Sequence, residues 1–371
     1  MDDIPLCKAH ITQEEYDAVK NVLDSGWLTH GSKTVEFELM FAEYLGVKNA
    51  VAVNSCTSAL FLALLANNIK GDVLVPSFTF VATVNAIVTA GANPVFIDIN
   101  YHDCNVDTSK LKDYLTPKSQ AIMVVHFAGQ TCEMEKISAF ARDHNLLLIE
   151  DSAETLGGTF DGQKSGSWGI GCFSFFPTKN ITTGEGGMLT TNDHNLAKKV
   201  RTLIGHGISK TTYQRESVPN WYREASVPGY NFRLSNIHSA IGVEQIKKLD
   251  YLNQLRYENS SYLISKLKNI EEIELPVENK KCFHVYQMFT IKVKDKRDLL
   301  VNELRKRGIG ASVHFDPPVH KQPAYIKNDG NLPVTEKVAK EILTLPMYPQ
   351  LTKLQLNKII DSLIKSLKHV R

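Results

Sequence analysis

The segment AVAVNSCTSALFLALLA, which spans Ala50–Ala66, decides the fold class of this chain. Its first four residues, Ala50–Val53, form a short apolar run typical of a strand that is buried on both faces. A helical pattern follows over Thr57–Ala66, which is rich in Ala and Leu and contains neither Gly nor Pro. A strand followed by a helix is the repeating unit of a parallel sheet covered by helices, so the segment predicts an α/β fold.

The same alternation continues from about Asn49 to Thr191, with a further helix predicted over Glu133–His144 after an acidic start. Runs rich in Val, Ile and Leu predict four more buried strands, which are Asp72–Val75, Pro94–Ile97, Ala121–Val125 and Leu146–Glu150. Together these elements predict a mainly parallel central sheet flanked by helices. Ligands of such sheets bind beyond the carboxyl ends of the strands, so the polar residues after each apolar run are candidates for a site.

The pattern changes beyond about Ser235. A long charged helical pattern over Ile246–Leu267 precedes a predicted strand over Val285–Val293 and a predicted helix over Arg297–Arg307. In the last predicted helix, apolar residues recur at i, i+3 and i+4 spacing over Leu356–Leu367, which indicates an amphipathic helix that packs on a core.

With 371 residues, the chain is long enough for two domains. We predict a large α/β domain over residues 12–245 and a smaller C-terminal α/β domain over residues 246–371, with an N-terminal arm, residues 1–11, packing against the smaller one. Hydrophobic residues make up 43% of the chain and charged residues 22%, so we expect a sizeable core rather than wholesale disorder.

The charge and the cysteines exclude several classes of protein. A net charge of +2 is too close to neutrality for general nucleic-acid binding. Six scattered cysteines include no C-x-x-C pair, which argues against a zinc site or a disulfide framework and favours a reducing compartment. No segment reaches the length of a membrane span, and the N-terminus lacks a signal-peptide core, so we expect a cytoplasmic protein without a membrane partner.

The segment FSFFPTKNITTGEGGM, Phe173–Met188, places Lys179 between an apolar run and a glycine-rich turn. Glycines let the backbone approach a ligand closely. A lysine amine in a partly enclosed pocket can form a Schiff base with a carbonyl. A single lysine is more often a solvated surface residue, so this interpretation depends on its companions.

Asp151 is the first companion, because it follows LLLIE and should emerge at the end of a buried strand. A carboxylate there could pair with the protonated pyridine nitrogen of pyridoxal phosphate, whose charged ring is an electron sink. The alternative role for Asp151 is a helix N-cap or a turn. Glu154, three residues on, could cap the same turn or contact the cofactor.

The turn NSCTSA, Asn54–Ala59, is the second companion. Backbone N–H groups at a helix start can bind a phosphate, and Thr57 and Ser58 would add hydroxyl donors. Plain helix capping is the alternative role for these two residues. Ser174 could add a phosphate contact, and Phe80, in PSFTFVATVNA, could lie flat against a cofactor ring or belong to the core.

In their order along the chain, these motifs resemble the DegT/DnrJ/EryC1/StrS family of sugar aminotransferases, which are fold-type-I enzymes that use pyridoxal phosphate. The resemblance covers nearly the whole chain, from LDSGWLTHG at Leu23–Gly31 to GYNFRLSNIHSAIGVEQ at Gly229–Gln245. Between these two motifs lie, in order, NSCTSAL, PSFTFVATVNAI, GANPVFID, VVHFAGQ, IEDSAETLGG and FSFFPTKNITTGEGGM.

The resemblance implies a role for each candidate cofactor residue. Lys179 would bond the cofactor covalently and later carry a proton between the substrate and the cofactor. Asp151 would hold the pyridine nitrogen, Phe80 would stack on the ring, and Glu154 would lie beside it. The residues implied around the cofactor phosphate are Cys56, Thr57, Ser58, Ser174 and Asn231 of the partner subunit. A contribution from the partner implies a homodimer with shared active sites.

Candidate contacts to the substrate are less specific. The resemblance implies that His314 or His320, in ASVHFDPPVHKQPAY, contacts the sugar or its diphosphate. Thr29, in the LDSGWLTHG motif, is a further candidate. Arg233 and Lys210 could contact a diphosphate. Structural roles and surface ion pairing are the alternatives for these side chains.

The implied reaction is a ping-pong transamination. L-glutamate would convert pyridoxal phosphate to pyridoxamine phosphate, and a nucleotide-linked keto sugar would then take the nitrogen. The TTGEGG stretch after Lys179 is more similar to enzymes that aminate C4 of a 4-keto-6-deoxyhexose than to the C3-aminating group, which suggests a role in O-antigen or lipopolysaccharide biosynthesis. A C3-aminating enzyme and a non-catalytic cofactor-binding regulator on the same fold remain alternatives.

Overall fold

The computed structural model describes residues 3–208, 224–325 and 330–370, and nine strands lie between residues 49 and 191. The strands are β1 (Asn49–Val53), β2 (Asp72–Pro76), β3 (Asn93–Ile97), β4 (Ser119–Val125), β5 (Leu147–Asp151), β6 (Thr159–Phe160), β7 (Gln163–Lys164), β8 (Ile170–Ser174) and β9 (Gly187–Thr191). All five strands predicted from apolar runs are present, and each lies within two residues of its predicted bounds.

Seven of these strands form the central sheet, in the order β1-β9-β8-β5-β4-β2-β3. The pairs from β3 through β2, β4 and β5 to β8 are all parallel, whereas β9 is antiparallel to both β8 and β1. Six strands therefore run in one direction and β9 runs against them. The prediction of a mainly parallel α/β sheet is confirmed.

Helices cover both faces of this sheet, because the strands are buried on both sides and need apolar partners. Those in the first part of the chain are α1 (Gln13–Ser25), α2 (Ser32–Leu45), α3 (Cys56–Ala66), α4 (Val81–Thr89), α5 (Met134–Asp143) and α6 (His194–Ile204). Helix α3 is buried almost all round, since it packs on the sheet and against α4 and α6. Ser55 caps it by accepting a hydrogen bond from the Ser58 amide, so α3 begins one residue before its predicted start.

The C-terminal part has a sheet of its own. Its elements are α7 (Asn236–Leu267), β10 (Ile273–Glu274), β11 (Cys282–Phe283), β12 (Phe289–Val293), α8 (Arg297–Lys306), α9 (Pro333–Glu341), β13 (Ile342–Leu345) and α10 (Lys353–Val370). The strands β10, β12 and β13 form an antiparallel sheet, and α8 and α10 pack with it around a separate apolar core. Strand β11 instead pairs with β6.

Two predictions for this part were wrong in their bounds. Strand β12 begins at Phe289 rather than at Val285, because Tyr286 has a φ of 41° and the Val285 amide donates instead to the Gly129 carbonyl. The helix predicted to begin at Ile246 begins ten residues earlier, where Ser235 caps α7. Since α7 runs unbroken through residues 245 and 246, the division of the chain into two domains at this point stays a prediction.

The N-terminal arm pairs with the C-terminal part. The Ile4 amide donates to the Gly308 carbonyl at 2.8 Å, and the Gly310 amide donates to the Ile4 carbonyl at 2.7 Å. The Ile4 side chain is buried in the C-terminal core, and the Met347 amide donates to the Leu6 carbonyl. None of the helices in the described ranges is long and apolar enough to cross a lipid bilayer.

Candidate active site

A cavity of about 450 Å³ opens at the carboxyl ends of the parallel strands. The turn after β1, the loop after β2, and the ends of β5 and β8 all contribute to its wall, as expected for an α/β sheet. Seven predicted cofactor residues line it, which are Cys56, Thr57, Phe80, Asp151, Glu154, Ser174 and Lys179. Apolar side chains also line the cavity, among them Leu6, Met288, Phe315, Leu345 and Met347.

Lys179 is held through its backbone and leaves its amine in the cavity. The Gln287 amide side chain donates to the Thr178 carbonyl at 2.8 Å, and the buried Arg256 guanidinium lies 3.4 Å from the Lys179 carbonyl. The Lys179 side chain is 17% exposed, and its Nζ lies 3.5 Å from Glu154 Oε1. A fixed backbone with a partly enclosed amine suits a nucleophile that must return to one position in each cycle.

Glu154 is buried and anchored on its other oxygen. Its Oε2 accepts a hydrogen bond from the Ala128 amide at 3.0 Å, where Ala128 adopts a left-handed conformation with a φ of 56°. The Oε1 atom faces Lys179. One oxygen of Glu154 is therefore fixed by the backbone, and the other is placed to accept a hydrogen bond from the Lys179 amine.

Asp151 ends β5 and is 5% exposed. Thr83 Oγ1 donates to its Oδ2 at 2.8 Å, and the Ala153 amide donates to its Oδ1 at 3.2 Å. Burial raises the pKa of the Asp151 carboxyl, while these hydrogen bonds and the nearby Lys179 oppose the increase. A protonated ring nitrogen in the cavity would favour the ionised carboxylate further.

The start of α3 meets the glycine-rich turn at the cavity. A Cβ added at Gly187 would lie 2.4 Å from the Ser55 carbonyl carbon and 2.6 Å from the Cys56 nitrogen, so only glycine allows this approach. Thr57 lines the cavity, whereas the Ser58 hydroxyl contacts Ser55 and donates to Asn54, outside the cavity wall. The structure therefore brings the helix terminus and Thr57 to the cavity, and it turns the Ser58 hydroxyl towards the capping turn.

Two exposed aromatic side chains border the cavity. Phe80 precedes α4 and leaves 63% of its surface exposed, and its ring centroid lies 6.5 Å from that of Phe315. Phe176 is 45% exposed on the same cavity. An exposed aromatic face beside the cavity is suited to stacking on a planar ring rather than to core packing, the alternative considered for Phe80.

These residues fit pyridoxal phosphate. The cofactor needs an amine for its aldehyde, an acid for its ring nitrogen and donors for its phosphate. Lys179 supplies the amine and Asp151 supplies a buried carboxylate that no arginine or lysine of the described residues neutralises by a direct ion pair. The start of α3 supplies backbone donors for an anion.

The two histidine candidates lie in different places. His314 lines the cavity, with its Nδ1 atom 2.8 Å from Thr344 Oγ1, and burial lowers the pKa of its imidazole, so the ring is neutral near pH 7. His320 is fully buried between Ser77, at 2.6 Å, and Glu336, at 3.3 Å, and it is not among the residues that line the cavity. The structure thus brings His314, but not His320, to the site.

The remaining substrate candidates, and the cofactor candidate Asn231, are not among the residues that line the cavity. Thr29 and Asn231 are exposed, and Arg233 is half-buried. Asn231 is paired through its backbone with Gly205. Lys210 lies outside the described residues. Asn231 is not among the residues that line the cavity of its own chain, so its contact with a cofactor stays a prediction.

Several cavity residues were missed from the sequence. Thr83 lies one helical turn after Phe80, a spacing that could have identified it. Gln287 reaches the lysine loop from more than 100 residues away, and Leu6 and Cys7 enter the cavity from the N-terminal arm. No local pattern identifies these three.

The fold and this cavity define a pyridoxal-phosphate-dependent aminotransferase. The chain belongs to the DegT/DnrJ/EryC1/StrS aminotransferase family, whose model matches residues 9–364. It is 38% identical to GDP-perosamine synthase from Caulobacter vibrioides, over 98% of this chain and 99% of that protein. The family resemblance drawn from the sequence motifs is confirmed.

Solved structures agree with this assignment. PseC from Helicobacter pylori, an aminotransferase involved in the biosynthesis of pseudoaminic acid, matches 99% of this chain and 100% of its own with a TM-score of 0.92 and 30% identity. The PLP form of Spr1654 from Streptococcus pneumoniae matches 100% of both chains with a TM-score of 0.91 and 27% identity. The predictions of fold, enzyme class and cofactor are confirmed, and the protein transfers an amino group to a sugar.

Proposed function

We propose that the protein transfers the amino group of L-glutamate to C4 of a nucleotide-linked 4-keto-6-deoxyhexose. The observation that carries this proposal is the single cavity in which the Lys179 amine, 3.5 Å from Glu154, and the buried Asp151 carboxylate lie together. Similarity to GDP-perosamine synthase over nearly the whole chain supports the sugar class. The proposed location is the cytoplasm, and the proposed fate of the product is O-antigen or a related surface polysaccharide.

Bound pyridoxal phosphate supplies an electron-accepting ring that stabilises negative charge on the carbon attached to the transferred nitrogen. The residues that would hold the group are Lys179, by a covalent bond, and Asp151, at the ring nitrogen. Phe80 would cover one face of the ring. The α3 terminus, with Thr57 and Ser174, would bind the phosphate.

Proton transfer is the main chemical task of the protein side chains. The Lys179 amine, once released from its covalent bond, can take a proton from the substrate carbon and return it elsewhere, which is general acid and base catalysis by one group. Glu154 Oε1, 3.5 Å from the amine, would orient it and stabilise its positive charge. Because its Oε2 is bound to the Ala128 amide, Glu154 can do so without moving.

Polarity of the cavity wall supports a deoxy sugar. Part of the lining is apolar, and against it a methyl group would be stabilised whereas a hydroxyl group would lose its hydrogen bonds to water. The apolar lining residues include Leu6, Met288, Phe315, Leu345 and Met347. The Nδ1 atom of His314 faces Thr344, so its Nε2 atom would make the contact with the sugar. In a neutral ring, Nε2 can donate or accept a hydrogen bond, depending on the tautomer.

The first experiment follows the absorbance of the bound cofactor before and after addition of L-glutamate. We expect conversion to the pyridoxamine form in the wild-type enzyme and in Lys20→Ala, whose lysine side chain is 70% exposed. In Lys179→Ala we expect no covalently bound cofactor and no conversion. Cofactor bound through Lys179 that no amino donor converts would favour the regulator. Conversion at the wild-type rate in Lys179→Ala would contradict the assignment of this lysine.

The second experiment identifies the acceptor. The pyridoxamine form is mixed with 4-keto and 3-keto sugars linked to GDP, UDP or dTDP, and the aminated carbon is located by NMR. We expect amination at C4 with rates that differ among the nucleotides, because a site that hydrogen-bonds one base rejects others strongly. Amination at C3 alone would overturn the proposed regiochemistry.

The third experiment tests the shared active site. If Asn231 acts in the site of the other subunit, then Lys179→Ala and Asn231→Asp are inactive alone, and a mixed dimer regains one intact site. Random mixing should restore about a quarter of the wild-type activity, because about half of the dimers are mixed and each has one working site. No recovery on mixing would indicate that Asn231 acts within its own chain or does not act.

A further inference from the structure

A chain of buried hydrogen bonds ends on Asp151. Thr79 Oγ1 lies 2.8 Å from Thr83 Oγ1, and Thr83 Oγ1 lies 2.8 Å from Asp151 Oδ2. The exposed fractions of Thr79, Thr83 and Asp151 are 2%, 1% and 5%. All three residues also line the cavity. Few water molecules can therefore compete for these bonds.

The ionised carboxylate sets the direction of this chain. A carboxylate can only accept hydrogen bonds, and a hydroxyl has a single proton to donate. Thr83 must therefore give its proton to Asp151, and Thr79 must give its own to Thr83. A protonated Asp151 would permit the opposite direction, so the order of the hydroxyls and the charge of the carboxyl are coupled.

The other carboxylate oxygen is held as well. Asp151 Oδ1 accepts from the Ala153 amide at 3.2 Å, and the Cys56 thiol lies 3.8 Å from the same oxygen. Of these three donors, Thr83 donates to Oδ2, whereas the Ala153 amide and the Cys56 thiol face Oδ1. Loss of that hydroxyl would leave Oδ2 without its short hydrogen bond and leave the carboxylate free to turn.

We propose that Thr83 is a positioning residue, which orients the ionised Asp151 carboxylate so that it can bind a positively charged ring nitrogen. The inference rests on the proposed pairing of Asp151 with the cofactor ring. Thr83 would act through Asp151 rather than on the reacting atoms. Its hydroxyl, and not its bulk, would carry the effect.

Several titratable groups face the Asp151 carboxyl and act on its pKa. Burial raises it, and the negative charge of Glu154 raises it further, whereas the positive charge of Lys179 lowers it. The thiols of Cys56 and Cys172 are also close, and burial holds both of them neutral by raising their pKa values well above the usual range. The hydrogen bond from Thr83 lowers the pKa of Asp151, so its removal must raise that pKa.

The experiment measures pyridoxal phosphate affinity as a function of pH in the wild-type enzyme and three variants. Thr83→Val keeps the shape of the side chain and removes the hydroxyl. Thr83→Ser keeps the hydroxyl. Thr89→Val makes the same change at an exposed position of the same helix, α4, and serves as the control. Thermal unfolding of each apoprotein reports whether it is folded.

We expect Thr83→Val to raise the Kd for the cofactor about tenfold near pH 7, since a hydrogen bond to a charged group contributes this much. The loss of affinity on acidification should begin at higher pH in this variant, because its Asp151 takes up a proton more readily. Thr83→Ser should restore most of the affinity and the wild-type pH profile. Thr89→Val should match the wild type.

Equal Kd values and equal pH profiles in wild type and Thr83→Val would overturn the inference. If Thr83→Val does not fold, Thr83→Ser becomes the test. A folded Thr83→Ser protein that keeps the hydroxyl but does not keep the cofactor affinity and pH profile of the wild type would also overturn the inference. Failure of the pairing itself looks different: Asp151→Asn would then bind the cofactor as tightly as the wild type at every pH. The two failures are therefore distinguishable.

Discussion

Gly187 is the position where a single methyl group should most directly disturb the cofactor site. It begins β9 and pairs with Val53 of β1, and its Cα passes the first turn of α3. In Gly187→Ala, the new Cβ would lie 2.4 Å from the Ser55 carbonyl carbon and 2.6 Å from the Cys56 nitrogen. These are backbone atoms, so no rotation of a side chain can relieve the contact.

The size of the effect follows from this geometry. Carbon atoms in contact lie about 3.5 to 4.0 Å apart, so β9 and α3 must separate by about 1 Å. Overpacking of this kind typically costs about 1 to 3 kcal/mol, which in a chain of 371 residues lowers the Tm by about 1 to 4 °C. Because the displaced helix start would bind the cofactor phosphate, we expect the Kd for pyridoxal phosphate to rise about tenfold.

The assay is a titration of the apoprotein with pyridoxal phosphate, together with calorimetry of the apoprotein. Gly205→Ala is the matched control, because Gly205 has a φ of −107° and its added Cβ would meet no atom closer than 3.5 Å. The control should change neither quantity. A Gly187→Ala protein with the Kd and the Tm of the wild type would refute the close approach of β9 to α3.

Two further predictions concern buried carboxylates. Burial raises the pKa of Glu38, and the positive charge of Arg201, 2.6 Å away and 38% exposed, opposes this increase. Arg201→Met should therefore destabilise the protein by about 2 kcal/mol. The loss of stability, measured by thermal unfolding, should grow as the pH rises from about 5 to 8, because Glu38 is then ionised without its partner. An equal deficit at every pH would contradict this. Burial also raises the pKa of Glu15, but hydrogen bonds from Lys248 and other donors lower it to about 2, below its usual value. The stabilisation by Glu15 is complete above about pH 4.5 and disappears as the pH falls towards 2. Glu15→Gln should therefore lose about 2 kcal/mol of stability at pH 7, and this loss should shrink on acidification. Glu14→Gln changes an exposed carboxylate and should lose little stability at any pH.

Much of the site could be predicted from the sequence because its residues lie next to strong local patterns. The strand that ends at Asp151 and the turn before α3 both follow runs of buried apolar residues, and the carboxyl ends of parallel strands meet at one edge of the sheet. Lys179 lies in a glycine-rich segment that no ordinary helix or strand would contain. Order along the chain then identified the family.

Errors in the element bounds have local causes that the patterns do not record. Val285 is β-branched, as strand residues often are, but Tyr286 adopts a left-handed conformation and separates it from β12. The start of α7 at Asn236 depends on the cap at Ser235, ahead of the charged pattern by which the helix was recognised. In both cases a single residue, rather than the average over a window, decided where the element began.

The sequence by itself determined the α/β class, the family, the cofactor, and the lysine and carboxylate that the structure brings to one cavity, because each follows from short-range periodicity or from an ordered set of motifs. Only the tertiary structure decided which side chains complete the site. Thr83 reaches Asp151 across 68 residues, Gln287 reaches the Thr178 carbonyl across 109, and Leu6 enters the cavity from the opposite end of the chain. Such contacts depend on how distant segments pack against each other, and the spacing of residues along the chain carries no record of that packing.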